Sequence, residues 1–284
     1  MRALAPRVAS RRRLVGATGR RTTRLPRALT NSFPQVLQWF DDKDTPLFCD
    51  FLSRWPTLKA APRARRSTLE ACFRAHPVRS TDLIATRLQA IKSATARTTE
   101  AGIVTPQALL GHARVAQLRG TLGVITDFDT AIARHAPGPP AFPLLDTLPG
   151  AGAVFAPRRL VAFGAHRARY TSADALQNYA GMAPVTERRG KKAWGHWHLQ
   201  CPTFLRHTFR EWAAASIQHA CWAQVYYQQQ RDKGKAHPAA VRALACTWMR
   251  LLSRGWQERT PDDESVSLQA LKRRSAPLLH NLAN

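Results

Sequence analysis

The stretch HAPGPPAFP, residues 135–143, constrains this chain more than any other. Its prolines fix φ, remove backbone donors and clash with a preceding helical turn, so no regular element can run through it. Whatever lies on its two sides is built separately. On the N-terminal side, Val115, Leu118, Leu122, Ile125 and Ile132 recur at three- to four-residue spacing, which predicts one long helix over 106–134 with a coiled-coil-like seam. Gly111, Gly120 and Gly123 weaken that helix and Asp129 falls in its seam, so it reads as a helical hairpin arm or a dimer strut. Asp127 and Asp129 read as solvated helix carboxylates rather than a metal pair. On the C-terminal side, Pro202 opens a predicted helix to Arg231, with Leu205, Phe209, Trp212, Ala213, Ile217 and Ala220 on its apolar face and Gly234 as its stop. A further helix over 239–254 is expected to bury Val241, Leu244, Ala245, Trp248 and Leu252. The expected class is mainly α.

Composition narrows the function. Lys and Arg number 43 against 18 Asp and Glu, a formal charge of +25, and the excess is spread through both halves. Such a body attracts polyanions by Coulomb steering and counterion release, so nucleic acid is the leading partner. No apolar run approaches the roughly 18 residues of a membrane helix. The five cysteines are odd in number and form no CxxC pair, which argues against a disulfide framework or a cysteine-rich zinc module. Residues 1–40 hold nine arginines (Arg2, Arg7, Arg11, Arg12, Arg13, Arg20, Arg21, Arg24 and Arg27) and no acid. That run should repel itself and stay mobile until it meets a phosphate backbone, although the same composition imitates a mitochondrial transit peptide.

Several short motifs carry candidate chemistry. Asp41, Asp42 and Asp44 could hold Mg²⁺ but read more simply as a polar turn between two short helices. Residues 67–76 and 81–93 are expected as two helices broken at Pro77, with Ser80 or Thr81 as cap. After the Pro-rich breaker, Leu148-Pro149-Gly150-Ala151-Gly152 between two predicted helices has the form of a helix-hairpin-helix. Gly150 and Gly152 would let the backbone approach a phosphate, with free N–H groups at the next helix start and with Arg158 and Arg159 adding charge. An ordinary interhelical turn is the plainer reading. TERRGKKAWGHWH interleaves Arg188, Arg189, Lys191 and Lys192 with Trp194 and Trp197, as suits a loop or hairpin gripping a nucleic-acid backbone. Arg206 follows on the next helix. His196, His198, Cys201 and His207 could approach one zinc, or could bond backbone or phosphate.

From LPGAGAVFAPRRLVAFG, through YTSADALQNYAGMAPVTERRGKK, to CPTFLRHTF, YYQQQRDKGKAHPAAVRALA and WQERTP, the chain closely resembles a family of bacterial insertion-sequence transposases. The family is usually numbered 110/116/902 and is understood as RNA-guided recombinases. NSFPQVLQWFDDKDT and FCDFLSRWPTL resemble one subgroup of it, so the resemblance extends from about Thr30 onward. It implies an RNase H-like domain whose four acidic residues (a DEDD set) bind Mg²⁺, then a helical arm, then a C-terminal transposase domain with a nucleophilic serine. Carboxylates would place metal on the phosphate while the hydroxyl attacks it.

Two departures shape the expectation. Only forty acid-free residues precede Asp41, where the acidic core should lie, so the chain is expected to be truncated at its N-terminus. Arg189 stands where the subgroup carries its serine, and a guanidinium cannot attack phosphorus; Thr186, three residues away, is the nearest hydroxyl. The expected organisation is a basic segment over 1–40, a helical linker and arm over 41–135, a compact helical transposase domain with a helix-hairpin-helix-like element over 144–260, and a basic tail over 261–284. The resemblance implies a DNA-binding protein of the bacterial cytoplasm and nucleoid, with no intact catalytic residue, no metal site and no cofactor of its own, Mg²⁺ belonging to full-length relatives. Expected partners are DNA, a guide RNA, and a second copy or a full-length transposase, but no membrane. Two rival readings are an active transposase working with a complete relative, and an inhibitor of such a relative's assembly.

Overall fold

A computed structural model describes residues 1–258, other than 79, 151, 165, 167, 168, 191, 198 and 199, together with Gln269. The tail read over 261–284 lies, but for Gln269, outside them. The described residues form twelve α-helices and one two-stranded antiparallel sheet, a mainly α fold. They divide into two compact units, residues 9–130 and residues 1–8 with 131–284. Among the described residues, no helix is long and apolar enough to cross a membrane.

The unit 9–130 holds most of α1 (Leu4–Leu29) and α6 (Ala101–His135), with α2 (Val36–Trp39), α3 (Pro46–Arg54), α4 (Arg66–Arg74) and α5 (Thr81–Lys92) between them. The arginine-rich opening, expected to be mobile, is therefore the helix α1. The correction has a physical cause that lies a hundred residues downstream. Arg11 forms a bidentate pair with Asp129, Arg21 donates to the Thr121 hydroxyl, Arg114 donates to the Arg24 carbonyl, and Leu29 meets Gly111. Partner numbers fall as the first number rises, so α1 and α6 run antiparallel. Asp129 is thus engaged by Arg11 rather than merely solvated. Leu25 and Leu29 on α1, and Val115 and Leu118 on α6, are buried in one apolar cluster. Phe33, Trp39, Phe40, Phe51 and Phe73 fill the same cluster, with edge or tilted ring contacts such as Phe40 to Phe51 at 5.1 Å. Each such aromatic pair adds about 0.5–1.5 kcal/mol beyond the area it buries.

Side-chain caps set the starts of two of the short helices. Thr45 accepts from the Phe48 N–H to start α3, and Ser80 accepts from the Leu83 N–H to start α5. Asp41, Asp42 and Asp44 lie in the turn between α2 and α3, where the Lys43 ammonium donates to the Phe40 and Asp41 carbonyls.

The second unit contains α7 (Phe142–Asp146), α8 (Gly152–Phe163), α9 (Ala173–Tyr179), β1 (Pro184–Arg189), β2 (Lys192–Trp197), α10 (Thr203–Ser216), α11 (Cys221–Asp232) and α12 (His237–Glu258). Helix α12 packs on α9, α10 and α11, while α8 packs on α7 and α10. The single helix expected over 202–231 is interrupted at 217–220. On a continuous helix, positions 212 and 222 would point about 80° apart. The interruption instead lets Trp212 and Trp222 both lie against Trp248, with ring centroids at 4.6 and 4.5 Å. The Trp248 indole donates to the Ser216 hydroxyl at 2.7 Å, which fixes the end of α10. Helix α11 stops as expected at Gly234, whose φ of 78° permits the paired bonds Gly234 N–H to Arg231 and Lys235 N–H to Gln230. Val241, Leu244, Ala245, Trp248 and Leu252 of α12 are all buried.

Candidate nucleic-acid interface

The LPGAG element is a turn between the five-residue α7 and α8, with left-handed backbone at Gly150 (φ 64°) and Gly152 (φ 48°). Its first half is fastened to the helical core. Trp212 donates its indole N–H to the Pro149 carbonyl at 2.9 Å. A Cβ at Gly150 would stand 3.2 Å from the His219 ring and 3.6 Å from the Ser216 backbone. Gly150 is thus required by close approach to the end of α10. Gly152 is different: it is exposed at the start of α8, and a Cβ there would meet nothing within 4 Å.

Arg158 and Arg159, expected to extend charge towards a phosphate, are buried instead. Arg158 pairs with Glu211 at 2.8 Å and reaches the Thr208 hydroxyl at 3.5 Å. Arg159 is 0% exposed; it donates to the Leu145 carbonyl and lies 4.1 Å above the Trp212 ring. Burial pushes its guanidinium down to about 9, with Asp146 pulling the other way, so it remains charged at neutral pH. These two side chains bind α8 to α7 and α10. They do not face solvent because α8 is covered on that side by the helices it packs against.

The basic Trp-containing segment is an antiparallel hairpin. Arg189 stands opposite Lys192, Arg188 opposite Ala193, and Glu187 opposite Trp194. Gly190, at φ 60°, begins the two-residue turn, where only glycine adopts that backbone without strain. Arg188 and Arg189 are exposed at the tip, and Trp194 is 46% exposed. The register puts Arg189 and Trp194 on one face and Arg188 on the other. Guanidinium and indole side by side are suited to a phosphate and an adjoining base. Lys191 lies outside the described residues, and Lys192 is described by its place in β2. Thr186 pairs with Gly195, about 10 Å of extended strand from Arg189.

Arg206 lies half-buried on α10, and its buried Nε has no hydrogen-bond partner. Sequence reading missed its neighbours, Arg210 one turn later and Arg242 on the packed α12. The four-residue spacing marks the first, but only packing brings in the second. Of the four candidate zinc ligands, His198 lies outside the described residues and His196 is described by its place opposite Val185. The described carboxylates do not assemble into the set that the resemblance associates with Mg²⁺: Asp50 bonds His76 at 3.0 Å and Arg119 at 2.7 Å, and Asp129 bonds Arg11. Among the described residues, no three His, Cys, Asp or Glu side chains come together as a metal-holding group.

Residues 143–228, which contain the turn, the hairpin, α10 and most of α11, match the model of the Transposase IS116/IS110/IS902 family. Over 140 residues, 49% of this chain, it is 33% identical to the mini-circle protein of IS117 from Streptomyces coelicolor, which carries a transposase's name. Over 104 residues, 35% of this chain, it is 34% identical to an uncharacterised 42 kDa protein of insertion element IS900 from Mycobacterium paratuberculosis. The chain spans 32% of the first relative's length and 25% of the second's. These likenesses place a segment similar to the IS116/IS110/IS902 insertion-sequence transposases within the C-terminal unit of this chain.

Proposed function

We propose that this chain binds DNA through its C-terminal unit, as part of the transposition of an insertion sequence, and that it does so without cutting the strand itself. The observation that supports binding is the hairpin tip: Arg188, Arg189 and Trp194 stand exposed within the family-matched segment of a chain with formal charge +25. Phosphate contacts from the two arginines would hold the strand while the indole stacks on a base. Gly152, at the exposed start of α8, offers backbone N–H groups as a second contact. The absence of cutting follows from Arg189, which occupies the residue expected for the serine nucleophile and carries no attacking oxygen. We place the protein in the bacterial cytoplasm on the nucleoid, where a guide RNA and a full-length transposase are its candidate partners.

Binding is tested by fluorescence anisotropy on duplex DNA across about 50 to 200 mM salt, comparing wild type with R188Q/R189Q. Each lost phosphate contact removes about 0.9 from the slope of log K against log salt, so the double variant should lose about 1.8. Over that fourfold salt range, wild type should weaken about 12-fold more than the variant. Salt-insensitive binding, or equal slopes, would remove the hairpin from the interface. For chemistry, the chain is incubated with donor DNA, guide RNA and Mg²⁺ and examined for covalent protein–DNA adducts. None is expected; an adduct abolished by Thr186→Ala would establish that hydroxyl as the nucleophile and overturn the non-cutting reading.

A further inference from the structure

A row of aromatic rings runs outward through the second unit, and an arginine lies across its outer end. The Phe163 ring meets Trp256 at 4.8 Å and Tyr170 at 5.5 Å, and Tyr170 meets Tyr179 at 5.8 Å. Trp256, Phe163 and Tyr170 are buried, whereas Tyr179 is 44% exposed. The Arg169 guanidinium lies 5.3 Å from the centre of the Tyr170 ring and 5.6 Å from that of Tyr179. It donates to the Tyr179 hydroxyl at 3.3 Å and is itself exposed.

This arginine is held in place without being neutralised. Its side chain lies on the backbone of Gly164, which has a φ of 89° and where a Cβ would stand 3.1 Å from the Arg169 Nη1. The helix beside it is fixed as well: Ser172 caps α9, Leu176 and Gln177 are buried, and Gln177 donates to the Cys246 carbonyl of α12 at 3.0 Å. Among the described residues, Arg169 pairs with no carboxylate; Glu211 takes Arg158 and Glu258 takes Arg254. Asp174 of α9 lies about 140° round the helix from Tyr179. The Tyr170 hydroxyl, buried in the same cluster, has no hydrogen-bond partner, so the cluster is not satisfied from within. A half-exposed ring beside a fixed, uncompensated guanidinium suits an unpaired nucleotide, with the base on the π-face and the phosphate on the planar fork. A duplex does not offer that face, because its bases are stacked on one another and present only their edges. Tyr179 stands five residues before Pro184, where β1 begins, and so within about 18 Å of the foot of the hairpin.

We propose that Tyr179 and Arg169 form a docking site for one unpaired nucleotide at the foot of the hairpin, an assignment that rests on the nucleic-acid binding proposed above. Tyr179 stacks on the base and Arg169 holds its phosphate. The site distinguishes an opened strand from a duplex and takes no part in chemistry. Single-stranded DNA and RNA share the chemistry it recognises, and the experiment separates them.

The experiment uses the full chain as wild type, Tyr179→Ala, Tyr179→Phe, Arg169→Gln and Arg169→Lys. Each is measured by fluorescence anisotropy on single-stranded DNA, single-stranded RNA and duplex DNA across about 50 to 200 mM salt, and by thermal unfolding. Tyr179→Ala should weaken single-strand binding about 5- to 150-fold at an unchanged salt slope and leave duplex binding as it was, while Tyr179→Phe keeps the stack. Arg169→Gln should lose about 0.7 of the single-strand slope, and Arg169→Lys should retain it. A single strand carrying iodouracil, irradiated with the wild type, should crosslink at Tyr179, read by peptide mass spectrometry. If Tyr179→Ala fails to fold, Arg169→Gln and the crosslink carry the test. A loss confined to the DNA or to the RNA strand upholds the site and assigns the nucleotide to that strand. Unchanged single-strand affinity in a folded Tyr179→Ala overturns the site and leaves duplex binding by the hairpin intact. An equal loss on single strand and duplex overturns it too, because the ring would then not be reading an unpaired base. If wild type binds none of the three, the DNA-binding function itself fails, and the site fails with it.

Discussion

Replacing Arg159 by methionine separates a phosphate-binding arginine from one that serves the fold. The depression of its pKa by burial to about 9 corresponds to about 5 kcal/mol against the charged form in the native state. Against this stand a charge-assisted bond to the Leu145 carbonyl, about 1.5–3 kcal/mol, and the stack on Trp212, about 2 kcal/mol. The terms nearly cancel. Methionine reaches a similar distance, fills much of the same space and carries no charge, so Arg159→Met should change stability by no more than about 1.5 kcal/mol. Arg159→Ala leaves a cavity beside Trp212 and should cost about 3 kcal/mol more. In a unit of this size that difference lowers Tm by about 6–12 °C, read by circular dichroism at neutral pH. The salt slope of duplex binding should be the same for wild type and the methionine variant, because the side chain is wholly enclosed. Methionine and alanine variants of equal stability would refute the balance of terms. A slope reduced by about 0.9 in the methionine variant would show that Arg159 does reach phosphate, as the sequence alone led one to expect.

Two further outcomes follow from the same unit. Gly150→Ala should cost about 1–2 kcal/mol from left-handed backbone, plus the displacement of the exposed His219 ring; Gly152→Ala carries the backbone cost alone, so denaturant melts should rank Gly150→Ala as the more damaging. Ser216→Ala strands the buried Trp248 indole N–H and should cost about 1–3 kcal/mol, and a cycle with Trp248→Phe should give a coupling of about 1 kcal/mol; additive effects would mean that the bond at 2.7 Å does not fix the end of α10.

Much of the architecture was legible because its signals are local. Ser80 caps the helix it precedes, Gly234 ends α11, and the apolar stripe of α12 is buried residue for residue. The alternation of basic and aromatic residues made this segment, residues 186–198, legible as a loop or hairpin, and only the pairing of β1 with β2 decided between them. Three features were not. The arginine-rich opening has no acid within forty residues, and the Asp129 that pairs with Arg11 lies 118 residues away. The interruption at 217–220 contains neither Gly nor Pro; it is imposed by Trp248, a residue of another helix. Arg158 and Arg159 look like any exposed pair until Glu211, Leu145 and Trp212 are set around them.

The sequence by itself carried the resemblance to the transposase family, the mainly helical class and the bounds of several helices. Each of these depends on residues within about one or two turns of each other, or on ordered motifs. Tertiary structure alone decided which arginines are spent inside the fold and which remain at the surface. A cation's role depends on what distant segments bring to it: an acceptor and an aromatic ring bury Arg159, whereas Arg188 and Arg189 stay exposed at the hairpin tip.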